Sequence, residues 1–198
     1  MRRTILFLLF FPASLGIISQ IFSPENLSAA ILALGTLGMC MEQARMAAVD
    51  MAEIAQFQQK TSDPRLDRFF IVTISTIVLE LSGFYLAALW IGWGALIVLV
   101  SQIWFHCLAK IQLQPSTEKI IDHGIVPRLP ILLANGIGII FVAFWLAKIL
   151  PLIMAMTLTA MLLIYGSIKY LFRTGEGEKG TSRDGNPYKW ALRDSDAV

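Results

Sequence analysis

Charge is scarce in this chain of 198 residues. Charged residues make up 15% and hydrophobic residues 56%. A soluble domain of this length needs more charge to cover its surface. Cysteine and histidine are scarce too, with only Cys40, Cys107, His106 and His123. No CxxC pair and no Cys/His spacing occurs, so a zinc or redox centre has no motif behind it. Di-metal carboxylate proteins use Glu-x-x-His on paired helices. The nearest approach here is EKIIDH, with Glu118, Asp122 and His123, a weak match. The fingerprints G-x-S-x-G, H-E-x-x-H and G-x-x-x-x-G-K-[ST] are missing. GEGEKG in the tail follows no strand and is no phosphate loop. No catalytic residue, metal ligand, cofactor or nucleic-acid partner is therefore assigned.

What the chain does have is long apolar runs. Crossing the hydrocarbon core takes roughly 20 apolar residues in a helix, at about 1.5 Å each. Six segments approach that length, at about 5–22, 27–41, 69–91, 95–113, 129–150 and 151–172. The fold expected is all-α, a polytopic bundle of six transmembrane helices. The first segment, after MRR, also resembles a signal peptide with Pro12-Ala13-Ser14 before a cleavage site. Its apolar run exceeds the 7 to 15 residues of a signal core, which favours an uncleaved helix.

The connections alternate in size. SPEN (23–26), GWG (92–94) and the junction Leu150–Pro151 are minimal; residues 42–68, 114–128 and 173–198 are long and polar. Six spans put these two sets on opposite faces. Of the sixteen Lys and Arg residues, only Lys148 falls on the short-loop face. By the positive-inside rule, both termini and the polar loops are cytoplasmic. Trp90 and Trp93 stand at the turn after the third segment, and Tyr170 and Phe172 end the sixth segment, as expected of headgroup-level aromatics. The implied location is a multi-pass site in a bacterial inner membrane or an equivalent such as the thylakoid.

One carboxylate interrupts the apolar pattern. Glu80 lies within STIVLELSGFYLA, and a charge at a helix centre costs roughly 2.5–3.5 kcal/mol on insertion scales. Counted from a hairpin turn at Gly92, Ser101 and Gln102 fall at similar depth. Thr73, Thr76, Gly83 and Ala87 share the face of Glu80 at three- and four-residue spacing. Asn135, beside the small pair Ala134 and Gly138, together with Thr36 and Thr159, adds polar groups at intermediate depth. The expectation is a buried polar seam of Glu80, Gln102, Ser101, Thr76, Asn135 and Thr159. Its bland reading is a structural Glu80 hydrogen-bonded to Gln102, fixing helix register. Its sharp reading is a proton or cation relay, against which stands the lack of a second acid or histidine in mid-span.

Residues 42–60 read as a cytoplasmic continuation of the second helix, without Gly or Pro. Glu42, Arg45, Glu53, Gln56 and Lys60 gather on one side, and Ala44, Ala47, Ala48, Met51, Ala52 and Ala55 on the other. That surface is a candidate docking site, with Glu42, Arg45, Ala48, Met51, Ala52 and Glu53 as its residues, set against a plain solvated helix packing on its own loops. The tail 173–198 reads as a flexible linker ending in Tyr188, Trp190 and Leu192. The leading functional expectation is a non-enzymatic integral membrane protein that binds or assembles other membrane proteins through its cytoplasmic face. Its partners are those proteins and membrane lipid. The alternative is a small transporter or channel using Glu80. A membrane-embedded enzyme with a cytoplasmic-face site is third.

Overall fold

A computed structural model describes residues 2–22, 26–114 and 119–175, with side chains for 5–22, 26–114 and 119–167. Part of the SPEN turn, Glu118, the side chains of Tyr170 and Phe172 and the tail from residue 176 lie outside the described residues. Six α-helices make up most of what is described: α1 (Arg2–Ile21), α2 (Leu27–Lys60), α3 (Pro64–Ala87), α4 (Ile91–Leu108), α5 (Leu129–Leu146) and α6 (Pro151–Gly175). Four of them, α2 to α5, are long and apolar enough to cross a membrane, α5 with the short 3-10 turn before it. The apolar parts of α1 and α6 are shorter, over Ile5–Ile21 and Pro151–Ser167. The chain is thus a helical membrane protein, and helices are the form expected, since lipid offers backbone groups no hydrogen bonds.

Local chemistry sets the helix ends. Asn26 caps α2, its side chain accepting from the backbone N–H of Ser28 and Ala29. Asp63 caps α3 in the same way through Arg65, with Pro64 in the first helical turn, where its missing N–H costs nothing. α2 runs unbroken for 34 residues, about 51 Å at 1.5 Å per residue. That exceeds the roughly 30 Å hydrocarbon core by several turns. Between α5 and α6 the chain reverses over residues 147–150, with Lys148 at φ 59° and Leu150 at φ 46°. Both are in the left-handed region that side chains with a Cβ enter at a cost.

The helices surround α2, which touches α1, α3, α4 and α6. α1 also packs on α3, and α4 and α5 continue the ring through to α6. The main core runs through this cluster, with Phe10, Ile17, Leu32, Phe84, Val98 and Val142 at its centre. A second, smaller core sits at the polar-loop end.

Two expected boundaries are corrected. The α3–α4 turn is not at GWG; α3 ends at Ala87 and α4 begins at Ile91, so Gly92, Trp93 and Gly94 form its first turn. Gly94 serves close packing: a Cβ there would lie 2.2 Å from the backbone N of Ala87. Trp90 and Trp93 remain exposed at this end. The fourth segment, expected to run to Leu113, ends as a helix at Leu108. Ile111–Gln114 is instead a strand, β1, paired antiparallel with β2 (Lys119–Asp122). The alternation Ile111-Gln112-Leu113-Gln114 is a period-2 pattern that buries Ile111 and Leu113 against Ile54, Phe57, Leu66 and Phe69. What read as a polar loop is a folded ribbon that closes the second core.

Candidate functional site

The α2–α3 hairpin fixes the depth of Glu80. Counting equally from the turn at residues 61–63 sets Ala44 level with it. Ala44, Ala47 and Ala48 are all buried, and their small side chains let the two helices approach. On the other side, Gly83 faces Val98, whose Cγ2 would lie 2.8 Å from an added Cβ. This close α3–α4 contact brings Gln102 to Glu80. Gln102 Nε2 donates to Glu80 Oε1, and Glu80 is only 3% exposed. Two further titratable groups, Asp50 and Cys40 of α2, lie within electrostatic reach of the carboxylate. Asp50 is six positions from Ala44 toward the polar-loop end, roughly 9 Å along the helix.

The rest of the expected seam is distributed differently. Thr76 and Thr73 are buried, but their hydroxyls donate to Val72 O and Phe69 O of their own helix. Ser101 donates to Val98 O and Thr36 to Leu32 O. Hydroxyls satisfied one turn back need no partner across the interface. Asn135 is on α5, with its Nδ2 donating to Ile131 O of the same helix. Thr159 donates to Ile31 O of α2 at 2.9 Å, beside Gly35 and far up the helix from the level of Glu80. The structure therefore brings Glu80 and Gln102 together, lines them with Thr76 and Ser101, and leaves Asn135 and Thr159 at other helix contacts. Asp50 was missed because its depth follows from where the α2–α3 turn falls.

The surface expected on 42–60 is partly used by the chain itself. Ala48 is 4% exposed, and Met51 packs against the main core. Ala52 and Glu53 are half-buried. Glu42 and Arg45 are half-buried as well, joined by an ion pair of 2.7 Å at i,i+3. Such a pair fixes the local helix face and contributes a few tenths of a kcal/mol.

Arg128 has a role the sequence did not signal. Counted among the loop cations, it is 8% exposed and donates to His106 O at 3.1 Å and Ile111 O at 3.4 Å. A guanidinium on the carbonyl of His106, in the last turn of α4, meets the negative end of that helix. His123 N donates to Lys110 O, extending the ribbon by one rung. Burial, and then Arg128, hold the His123 imidazole below its ordinary range. The Nδ1 of His106 is buried without a hydrogen bond among the described residues. Asp122 is engaged by Arg65 at 3.1 Å, and among the described residues no three His, Cys, Asp or Glu side chains converge as a metal site would need. A cavity of about 240 Å³ at the α2–α3 turn is lined by Gln58, Thr61, Ser62, Asp63, Leu66 and Asp67, far from Glu80.

No protein family, curated protein or solved structure matches the chain.

Proposed function

We propose that this is a non-enzymatic membrane protein of six spans, with its termini and polar loops in the cytoplasm, that associates with other membrane proteins. The observation that carries the reading is on α5. This helix packs mainly on α4 and α6, reaching α2 where Trp145 Nε1 donates to Ser28 Oγ at 3.2 Å, and Leu133, Ile137 and Ile140 are exposed along one side of it. Gly136, whose Cβ position meets open space, lies on that side, and the half-exposed amide of Asn135 lies round the helix, on the side of Gly138 and Val142. Small residues let a second helix approach closely, and an amide in lipid gains from a partner on another helix, by roughly 0.6–2 kcal/mol. The docking surface favoured here is therefore the exposed intramembrane flank of α5, with the Glu42–Arg45 side of α2 as a second contact. Affinity purification in mild detergent tests this. Wild-type chain is expected to bring down a defined membrane protein, and Asn135→Leu to reduce that recovery by roughly threefold or more. Recovery of the chain alone from a mild detergent rules against the reading.

A second reading draws on Glu80. A proton relay needs more than one titratable group along a path, and Asp50 supplies a second carboxylate between Glu80 and the polar-loop end. Gln102 can donate to a carboxylate or accept from a carboxylic acid, so it suits both protonation states. Glu80→Gln in reconstituted vesicles separates the two readings. Loss of proton-coupled flux with the fold intact favours the relay; unchanged partner recovery with no flux in wild type favours assembly.

A further inference from the structure

The pairing register of the ribbon gives it two unlike faces. Directly paired residues share a face, and faces alternate along a strand. Leu113 pairs with Ile120 on the side that packs on the second core. Gln112 pairs with Ile121 and Gln114 with Lys119 on the other side, and Lys110, joined to His123 by its carbonyl, continues that side. The outward face thus carries Lys110 and Lys119, both exposed, around Ile121, which is 40% exposed. The chain then runs into Ile125 and Val126, exposed 57% and 82%, and from there into the uncovered flank of α5 at Leu129 and Leu133.

The depth of this surface follows from α4. Its 18 residues span about 27 Å, close to the roughly 30 Å of the hydrocarbon core. Arg128 binds the last turn of α4 through His106 O, so Ile125 and Val126 lie level with the end of that path. At the opposite end, the exposed Trp90 and Trp93 mark the other boundary. An apolar tip flanked by lysines, continuous with a lipid-facing helix and placed at the edge of the hydrocarbon, has the composition of an interfacial anchor.

We propose that the outward face of the β1–β2 ribbon and the Ile125–Val126 tip rest in the headgroup layer of the bilayer that α4 and α5 cross, with Lys110 and Lys119 selecting anionic phospholipid. This rests on the reading of those helices as membrane-crossing. The full chain is tested in nanodiscs, in a Cys107→Ser background, because Cys107 is exposed and Cys40 buried. A polarity-sensitive fluorophore is placed by Val126→Cys, by Leu133→Cys on the flank of α5, or by Gln59→Cys at the exposed end of α2. Val126 is expected to be quenched by a headgroup-level lipid quencher, shielded from iodide, and more blue-shifted in phosphatidylglycerol discs than in phosphatidylcholine discs. Lys110→Gln with Lys119→Gln is expected to remove that lipid difference. Iodide access at Val126 equal to that at Gln59 overturns the proposal, as does shielding from both quenchers, which means a protein covers the tip. An equal response in the two lipids overturns the role of the lysines. If Leu133 escapes acyl-chain quenchers and is open to iodide, the membrane-crossing reading itself has failed; if Leu133 is shielded from iodide and Val126 is not, only the anchor has.

Discussion

The two cores of this protein are built from different materials. The main core joins helices along faces of small residues: Ala44, Ala47 and Ala87 are buried there, and Gly83 and Gly94 leave no room for a Cβ. Larger side chains such as Phe10 and Phe84, with ring centroids 5.8 Å apart, fill the space between. The second core, at the polar-loop end, is a cluster of large side chains, Ile54, Phe57, Leu66, Phe69 and Val72, under the β-ribbon. Phe69 and Phe105 meet there at 6.1 Å. The difference follows from the solvent. Lipid gives apolar side chains no reason to leave it, so helices within it gain from close contact and shared hydrogen bonds. Near water, burying apolar area is itself favourable, by about 25 cal/mol per Å².

The largest test strikes the main core. Gly94→Leu puts a side chain where Ala87 already stands, at 2.4 Å from its Cα. Overpacking of this kind costs about 3 kcal/mol or more, and the expected result is little monodisperse protein in detergent, against normal behaviour of the wild type. Next is Leu66→Ala, which empties the centre of the second core, where Leu66 is 1% exposed. A loss of about 3 kcal/mol is expected. It should be local: amide exchange accelerates in residues 111–122 while α1, α4 and α5 keep their protection. Uniform acceleration would mean that the two cores are one cooperative unit.

Smaller effects sharpen the contrast. Gln102→Leu removes the donor to Glu80 inside the main core. An unsatisfied buried group costs about 1–3 kcal/mol, read as a lower unfolding midpoint, and Glu80→Leu in the same background should recover most of it, because two apolar partners leave nothing unsatisfied. The smallest effect is one of pH and belongs to the ribbon over the second core. His123 titrates below its ordinary value of 6.5 in the folded protein, from burial and the neighbouring Arg128. The unfolded ribbon binds the proton first, so attachment weakens as pH falls through about 6.5 and the folded value is approached. Protection of the amides at 119–123, taken relative to their intrinsic exchange rates at each pH, should be lower at pH 5 than at pH 7.5, and His123→Gln should remove the difference.

Some of this was legible and some was not. Apolar length marked the helices, because each must cover the same hydrocarbon thickness wherever its neighbours lie. Glu80 stood out as a lone acid in an apolar run, and hairpin counting reached Gln102 even with the turn placed a few residues late, since both are long side chains that tolerate such a shift. The ribbon was overlooked although Ile111-Gln112-Leu113-Gln114 alternates, because four residues are too few to outweigh a polar, turn-rich surrounding.

The sequence by itself determined the membrane class, the helices and the buried carboxylate, because these depend on local composition and on the cost of charge in lipid. Only the tertiary structure decided that Asp50 comes within reach of Glu80, that the Ala-rich face of α2 turns inward, that Asn135 and Thr159 stand apart from the pair, and that Arg128 closes the end of α4. Those facts depend on where the turns fall and which helix rotates toward which, and composition leaves rotation and register free.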